Sequence, residues 1–250
     1  MAEFDTQRLA QARTGAAARA DIDVGLREYM NKVYAIMATG MVITAVFAYG
    51  LNALAIGPNG TLTSLGIAVY TSWLKWVIMF APLAVVFAFS AMIYRMSAAT
   101  ATLVFYGFAA LVGMSISWIF LAYTGVSIVS TFLATAAGFA GLSLYGYTTK
   151  RDLSGMGSFL MMGLIGLIIA SIINIFIQSS AMQFAISSIG VLIFAGLTVF
   201  DTQQIKNTYL QLQDSDREFL GKTAILGALN LYLDFLNLFM FLLQFMGDNR

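Results

Sequence analysis

The chain has 250 residues, of which 60% are hydrophobic and 10% charged, with a mean hydropathy of +0.83, whereas soluble domains carry about 25% charged residues. A formal net charge of +1 leaves no basic excess for nucleic-acid phosphates, so nucleic acid is not an expected partner. The chain contains neither cysteine nor histidine, which excludes disulfides, thiolate nucleophiles, imidazole catalysis and the usual zinc, copper or haem ligands.

Residues 1–31 are polar and of mixed charge, ending in Asp21, Asp23, Arg27 and Glu28, and lack the apolar core and small-residue cleavage site of a signal peptide. They are expected as a retained, mobile cytoplasmic tail. A bilayer core about 30 Å thick takes about 20 apolar residues per helix. On that measure seven spans follow, at 33–54, 73–94, 101–122, 126–147, 159–177, 184–205 and 223–246. The fold class is an all-α integral membrane protein with its lipid-embedded domain at 32–246 and a short C-terminal tail at 247–250. The last stretch is long enough for a full span, with two re-entrant half-helices as the alternative. Only the loops at 55–72 and 206–221 are long, so no extramembrane domain is expected between helices. Pro58 with Gly57 and Gly60 marks a turn in the first loop, and Pro82 is placed to kink span two.

Placing the N-terminus in the cytoplasm puts Arg8, Arg13, Arg19, Arg27, Lys32, Arg95, Lys150, Arg151, Lys206, Arg217 and Lys222 on that side, and Lys75 and Arg250 on the other. Eleven against two is a strong positive-inside asymmetry. Trp73, Trp76 and Trp118 then fall near the outer interface, and the C-terminus lies outside.

Ionised groups in hydrocarbon cost at least ~2.5–3.5 kcal/mol on insertion scales, so the few present are functional candidates. Asp201 lies near the cytoplasmic end of span six, Asp234 near the middle of span seven, and Arg95 closes span two. Gly227, Asn230, Asp234 and Asn237 follow helical offsets of three and four and share one face, which must meet protein or water. In span two Ala84, Ala88, Ala91, Arg95 and Ala98 share a small-residue face suited to close helix approach, so Arg95 is expected to point at a packed neighbour.

Leu231-Tyr-Leu-Asp-Phe-Leu-Asn-Leu-Phe239, followed by Leu242-Leu243 and preceded by Phe200-Asp-Thr-Gln-Gln-Ile205, resembles the Bax inhibitor-1 (transmembrane Bax inhibitor motif) family. Val24-Gly-Leu-Arg-Glu-Tyr-Met30 and Met37-Ala-Thr-Gly40 resemble its bacterial members, which points to a bacterial inner membrane. The resemblance implies six helices surrounding a more polar seventh. It also implies a pH-sensitive calcium leak in which Asp201 and Asp234 form a proton-sharing pair and Arg95 latches onto it. Calcium and protons are then the small partners, Asp201 and Asp234 the calcium ligands, and Asn230 and Asn237 a supporting polar face. No resident cofactor and no enzymatic activity are expected.

Two carboxyls in a low-dielectric site cannot both ionise cheaply, so the pair titrates as a unit. Protonated, it clamps spans six and seven. Deprotonated, it repels and offers hard oxygen ligands for Ca²⁺. At 1.5 Å per residue, Asp201 is about 7 Å from Lys206 and Asp234 about 18 Å from Lys222. Pairing therefore requires span seven to begin below the membrane surface, or one helix to tilt.

Four rivals follow from the same residues. An intramembrane aspartyl protease also places aspartates in spans six and seven, but Leu231-Tyr232-Leu233-Asp234 lacks the glycines of Gly-x-Gly-Asp and no proline follows Pro82. A retinal pump needs a lysine in span seven, and a P-loop ending at Gly221-Lys222-Thr223 would need glycine where Asp216 stands. A regulator of other membrane proteins, such as a membrane protease or cell-death and stress factors, would use the tail at 1–31 as its contact surface.

Overall fold

The computed structural model describes the backbone of residues 2–248 and the side chains from Ile22 onward. A chain in hydrocarbon must satisfy its backbone polar groups within itself, and helices do so segment by segment. The described α-helices are α1 (Ala2–Ala55), α2 (Ser64–Tyr70), α3 (Leu74–Met92), α4 (Ala98–Ile116), α5 (Ile119–Ala122), α6 (Gly125–Thr148), α7 (Ser154–Ile177), α8 (Ser180–Leu212) and α9 (Arg217–Met246). Seven segments are long and apolar enough to span a membrane: α1 from Ile22, α3 with the 3-10 turn Ile93–Arg95, α4 with α5, α6, α7, α8 and α9. All seven expected spans are present, and the last is one continuous helix, not two half-helices.

The boundaries differ where hydropathy is a poor guide. Leu26, Tyr29 and Met30 are buried, so the packed bundle begins ahead of residue 32. Backbone helix continues back to Ala2, but the side chains of the proposed contact surface before Ile22, with Arg8, Arg13 and Arg19, lie outside the described residues, as do Asn249 and Arg250. The stretch 206–221 is mostly helix: α8 runs on to Leu212, and Asp216 caps α9 by accepting from Phe219 N at 2.6 Å. Beyond the hydrocarbon a helix no longer needs apolar residues, and this one is held by packing, with Tyr209 against Tyr29 at 5.1 Å. In the first loop Gly60 N donates to Gly57 O at 3.0 Å and Gly60 takes φ +75°, the left-handed conformation expected of glycine in the Pro58 turn. α3 runs through Pro82 without interruption.

The face on which α8 ends and α9 begins carries Arg95, Lys150, Arg151, Arg217 and Lys222, and is called the basic face below. Trp73, Trp76 and Trp118 are exposed at the opposite end. α9 is the most buried span, with α1, α4, α6 and α8 as its principal neighbours, while α3 packs chiefly on α4 and α7 on α8. One core joins α1, α4 and α9, where Tyr232 meets Phe105 edge-on at 5.5 Å. A second joins α7 and α8 through Leu160, Leu167, Ile193 and Leu197, with Leu238 of α9. α6 closes on α8 at Gly146, where a Cβ would strike the Val199 carbonyl.

The small-residue face of α3 is not a packing face. Ala84, Ala88 and Ala91 are exposed, while Phe89 and Ile93 are buried. In lipid, helix packing follows surface shape and dispersion contact. The large side chains of this helix supply more of that contact than its alanines.

Candidate functional site

The packing of α8 on α9 sets a register that the sequence left open. A Cβ at Gly227 would lie 3.0 Å from Ile205, and one at Gly190 would lie 2.7 Å from Phe241. Between those two contacts the antiparallel helices bring the Asp201 and Asp234 carboxyls face to face within hydrogen-bond reach. The depth problem disappears because α9 starts at Arg217, below the level assigned from Lys222, and because Lys206 does not mark the membrane surface. Lys206 is half-buried; its Nζ donates to Tyr147 O at 2.8 Å and sits 5.3 Å from the Tyr147 ring, capping the end of α6.

The pair opens on a cleft of about 630 Å³ between α7, α8 and α9. Asn230, Asp234 and Asn237 line one wall, Asp201, Phe194 and Leu197 a second, and α7 side chains such as Leu164 and Ile168 the third. Asp234 is 4% exposed, and its Oδ2 is buried without a hydrogen-bond partner. Two carboxylates are acceptors only, so their contact becomes a hydrogen bond only when one of them carries a proton. Asn237 is tethered, its Nδ2 donating to Leu233 O at 2.8 Å, which leaves its amide oxygen available to the cleft. Among the described residues no group of three or more acidic side chains comes together to hold a metal ion. A cation at the pair would therefore complete its shell with amide oxygens and water.

The structure does not bring Arg95 to this pair. Arg95 ends the 3-10 turn after α3 and is exposed, and its neighbour Tyr94 stacks on Phe219 at 5.9 Å. Phe219 precedes Asp234 by fifteen residues, about 22 Å of helix. Among the described residues the one ion pair is Lys222 with Glu218, at 3.2 Å. Arg95 is exposed like Ala84, Ala88 and Ala91, so the side of α3 that carries it has no packed neighbour.

Hydroxyl networks around the site escape a reading based on charge. Tyr34 OH donates to Ser143 Oγ at 3.1 Å, and Ser143 Oγ lies 3.0 Å from Thr202 Oγ1, tying α1 and α6 to α8 beside Asp201. Thr44 Oγ1 lies 2.6 Å from Tyr232 OH, joining α1 to α9. A helical-face count on span seven could have reached Phe241, which lines the same cleft, because it continues the Asn230, Asp234, Asn237 spacing.

Comparison with known proteins agrees with this architecture. Residues 26–250 match the family described as inhibitor of apoptosis-promoting Bax1. The chain is 44% identical over 228 residues to the inner membrane protein YbhL of Escherichia coli K12, covering 90% of this chain and 94% of that one. It is 43% identical over 242 residues to an uncharacterized protein of Caulobacter vibrioides, covering 96% of both chains. A multi-pass helical membrane fold, the carboxyl pair on its last two helices and a family match from Leu26 onward together show that the chain belongs to the Bax inhibitor-1 family.

Proposed function

We propose that this protein is a proton-controlled cation leak of the bacterial inner membrane, with Ca²⁺ as its substrate and the Asp201–Asp234 pair as its control point. The observation that carries the reading is two carboxyls within hydrogen-bond reach in a cleft between three spanning helices, one of them with a buried oxygen that lacks a donor. With a proton between them the carboxyls hold α8 to α9. Without it, two negative charges in low dielectric repel and attract a hard cation in place of the proton. Protons and calcium thus compete for one site, and acid closes the leak. The basic face turns to the cytoplasm by the positive-inside rule, placing the N-terminus inside and the C-terminus outside.

The test is calcium entry into liposomes holding the purified protein and an entrapped indicator, compared across pH with Asp201→Asn and Asp234→Asn. Flux in the parent protein is expected to rise with pH, and both variants to lose that response. Unchanged flux and unchanged pH response in both variants would sink the proposal.

The carboxyl geometry favours one second reading, peptide hydrolysis within the membrane, since a proton-sharing pair can activate water. The glycine-free Leu231-Tyr232-Leu233 approach to Asp234 weighs against it. Cleavage of a transmembrane reporter peptide by the parent protein, lost in Asp234→Asn, would establish it.

A further inference from the structure

The polar face of α9 does not end at the carboxyl pair. Asn230, Asp234 and Asn237 are followed at the same helical spacing by Phe241 and Gln244, and on α8 Asp201 shares a face with Phe194, Gly190, Ser187 and Gln183. Toward the end opposite the basic face these two stripes meet again in polar contacts. Gln183 Nε2 donates to Gln244 Oε1 at 2.7 Å, Asn174 Nδ2 of α7 donates to Gln183 Oε1 at 3.0 Å, and Ser187 Oγ donates to Gln244 Oε1 at 3.3 Å. Along the α8–α9 seam two aromatic rings lie between this amide cluster and the carboxyl pair. Phe241 rests directly on Gly190, where a Cβ would come within 2.7 Å of its ring, and stacks on Phe194 with centroids 5.8 Å apart and planes at 26°. Both rings belong to the wall of the cleft.

We propose that Phe241, seated on Gly190 and stacked on Phe194, is a hydrophobic plug in a polar path between α8 and α9, and that the Gln183–Gln244 cluster is the far mouth of that path. An apolar layer excludes water, so it stops an ion without needing to fill the passage completely. The absence of a side chain at Gly190 lets the ring lie across the gap between helices. Phe241 is seven residues, about 10 Å, from Asp234 on the same face. Separation of α8 from α9 at the carboxyl pair therefore removes the ring from its seat. At the far mouth, neutral amide oxygens take over part of a cation's hydration shell without trapping it. Only the identity of the permeant rests on the proposed leak; the plug and the two polar compartments rest on the packing of α8 and α9.

The chain has no cysteine, so single cysteines report without background. Asn237→Cys, in the cleft, and Gln244→Cys, in the far cluster, are reconstituted in oriented proteoliposomes and exposed to a membrane-impermeant thiol reagent from one side at a time. Asn237→Cys is expected to react from the basic-face side alone and Gln244→Cys from the opposite side alone. Adding Phe241→Ala should let the cysteine at position 237 react from the far side about tenfold faster. Gly190→Ala, which pushes the ring off its seat without removing it, should act in the same direction, and Phe241→Leu should stay close to the parent. Labelling of position 237 from both sides with Phe241 intact would overturn the plug, as would unchanged sidedness in both Phe241→Ala and Gly190→Ala. Calcium flux in the same vesicles separates the two ideas. If Phe241→Ala opens the labelling and no variant passes calcium, the plug stands and the leak falls. If the parent protein passes calcium and Phe241→Ala alters neither labelling nor flux, the leak stands and the plug falls.

Discussion

Tyr232 and Asp234 stand two residues apart on α9, are 0% and 4% exposed, and have opposite surroundings. The Tyr232 hydroxyl meets Thr44 Oγ1 at 2.6 Å, Thr44 lies 3.0 Å from both Gly40 O and Ala109 O, and Phe105 and Phe108 pack edge-on against the tyrosine ring. Asp234 faces a cleft and a second carboxyl, with one oxygen unpartnered. A buried polar group whose bonds are all met rigidifies its surroundings, whereas one left short holds unspent capacity for a proton or an ion. One helix therefore carries a structural staple on the side toward α1 and α4, and a working site on the side toward α7 and α8.

The contrast predicts a division between stability and transport. Tyr232→Ala removes a fully buried ring and should cost about 3–5 kcal/mol, read as a large fall in melting temperature in detergent. Asp234→Asn should move the same melting temperature little, by under about 1 kcal/mol, because no complete hydrogen-bond set is lost. Its effect belongs in the pH dependence of flux. Equal destabilisation by the two substitutions would erase the distinction between staple and site. Thr44→Val comes next, leaving the Tyr232 hydroxyl without its partner at a cost of about 1–3 kcal/mol and the pH response of flux intact. Lys206→Met should cost less, about 0.3–1 kcal/mol, by removing a cation from the C-terminal end of α6.

Arg95 and Lys206 show where sequence stops being informative. Seven spans and two intramembrane aspartates are legible because hydrocarbon penalises charge and demands about 20 apolar residues per helix. Whether those two aspartates meet depends on how α8 slides along α9, and that register is set by Gly227 under Ile205 and Gly190 under Phe241. Such contacts involve shape, which hydropathy does not encode. Lys206 reads as a surface marker by charge alone, yet its four-carbon stem lets it sit inside the bundle and donate to the Tyr147 carbonyl. Arg95 reads as a packed residue if the small-residue face of span two is a packing face, but Ala84, Ala88, Ala91 and Arg95 are all exposed. Arg95→Ala is therefore expected to leave both the melting temperature and the pH response of flux unchanged. A lost pH response would show that the arginine reaches the pair in another conformation.

The smallest effect is expected at a third carboxyl, Asp152, which serves as a control for the other two. It lies at the start of α7, fully exposed, and its Oδ1 accepts from Ser154 N at 2.9 Å and Ser154 Oγ at 2.6 Å. Those bonds favour the charged form and hold the Asp152 carboxyl below its ordinary range. A carboxyl depressed in the folded state contributes stability that is present above its unfolded value and is lost as pH falls through the folded one. Asp152→Ala should therefore lower the melting temperature slightly at neutral pH, and the difference from the parent should vanish in acid below the usual carboxylate range. Transport should not change at any pH, because nothing in the cleft touches this residue. If Asp152→Ala shifted the pH response of flux as Asp234→Asn does, surface charge near the basic face, and not the buried pair, would be setting that response.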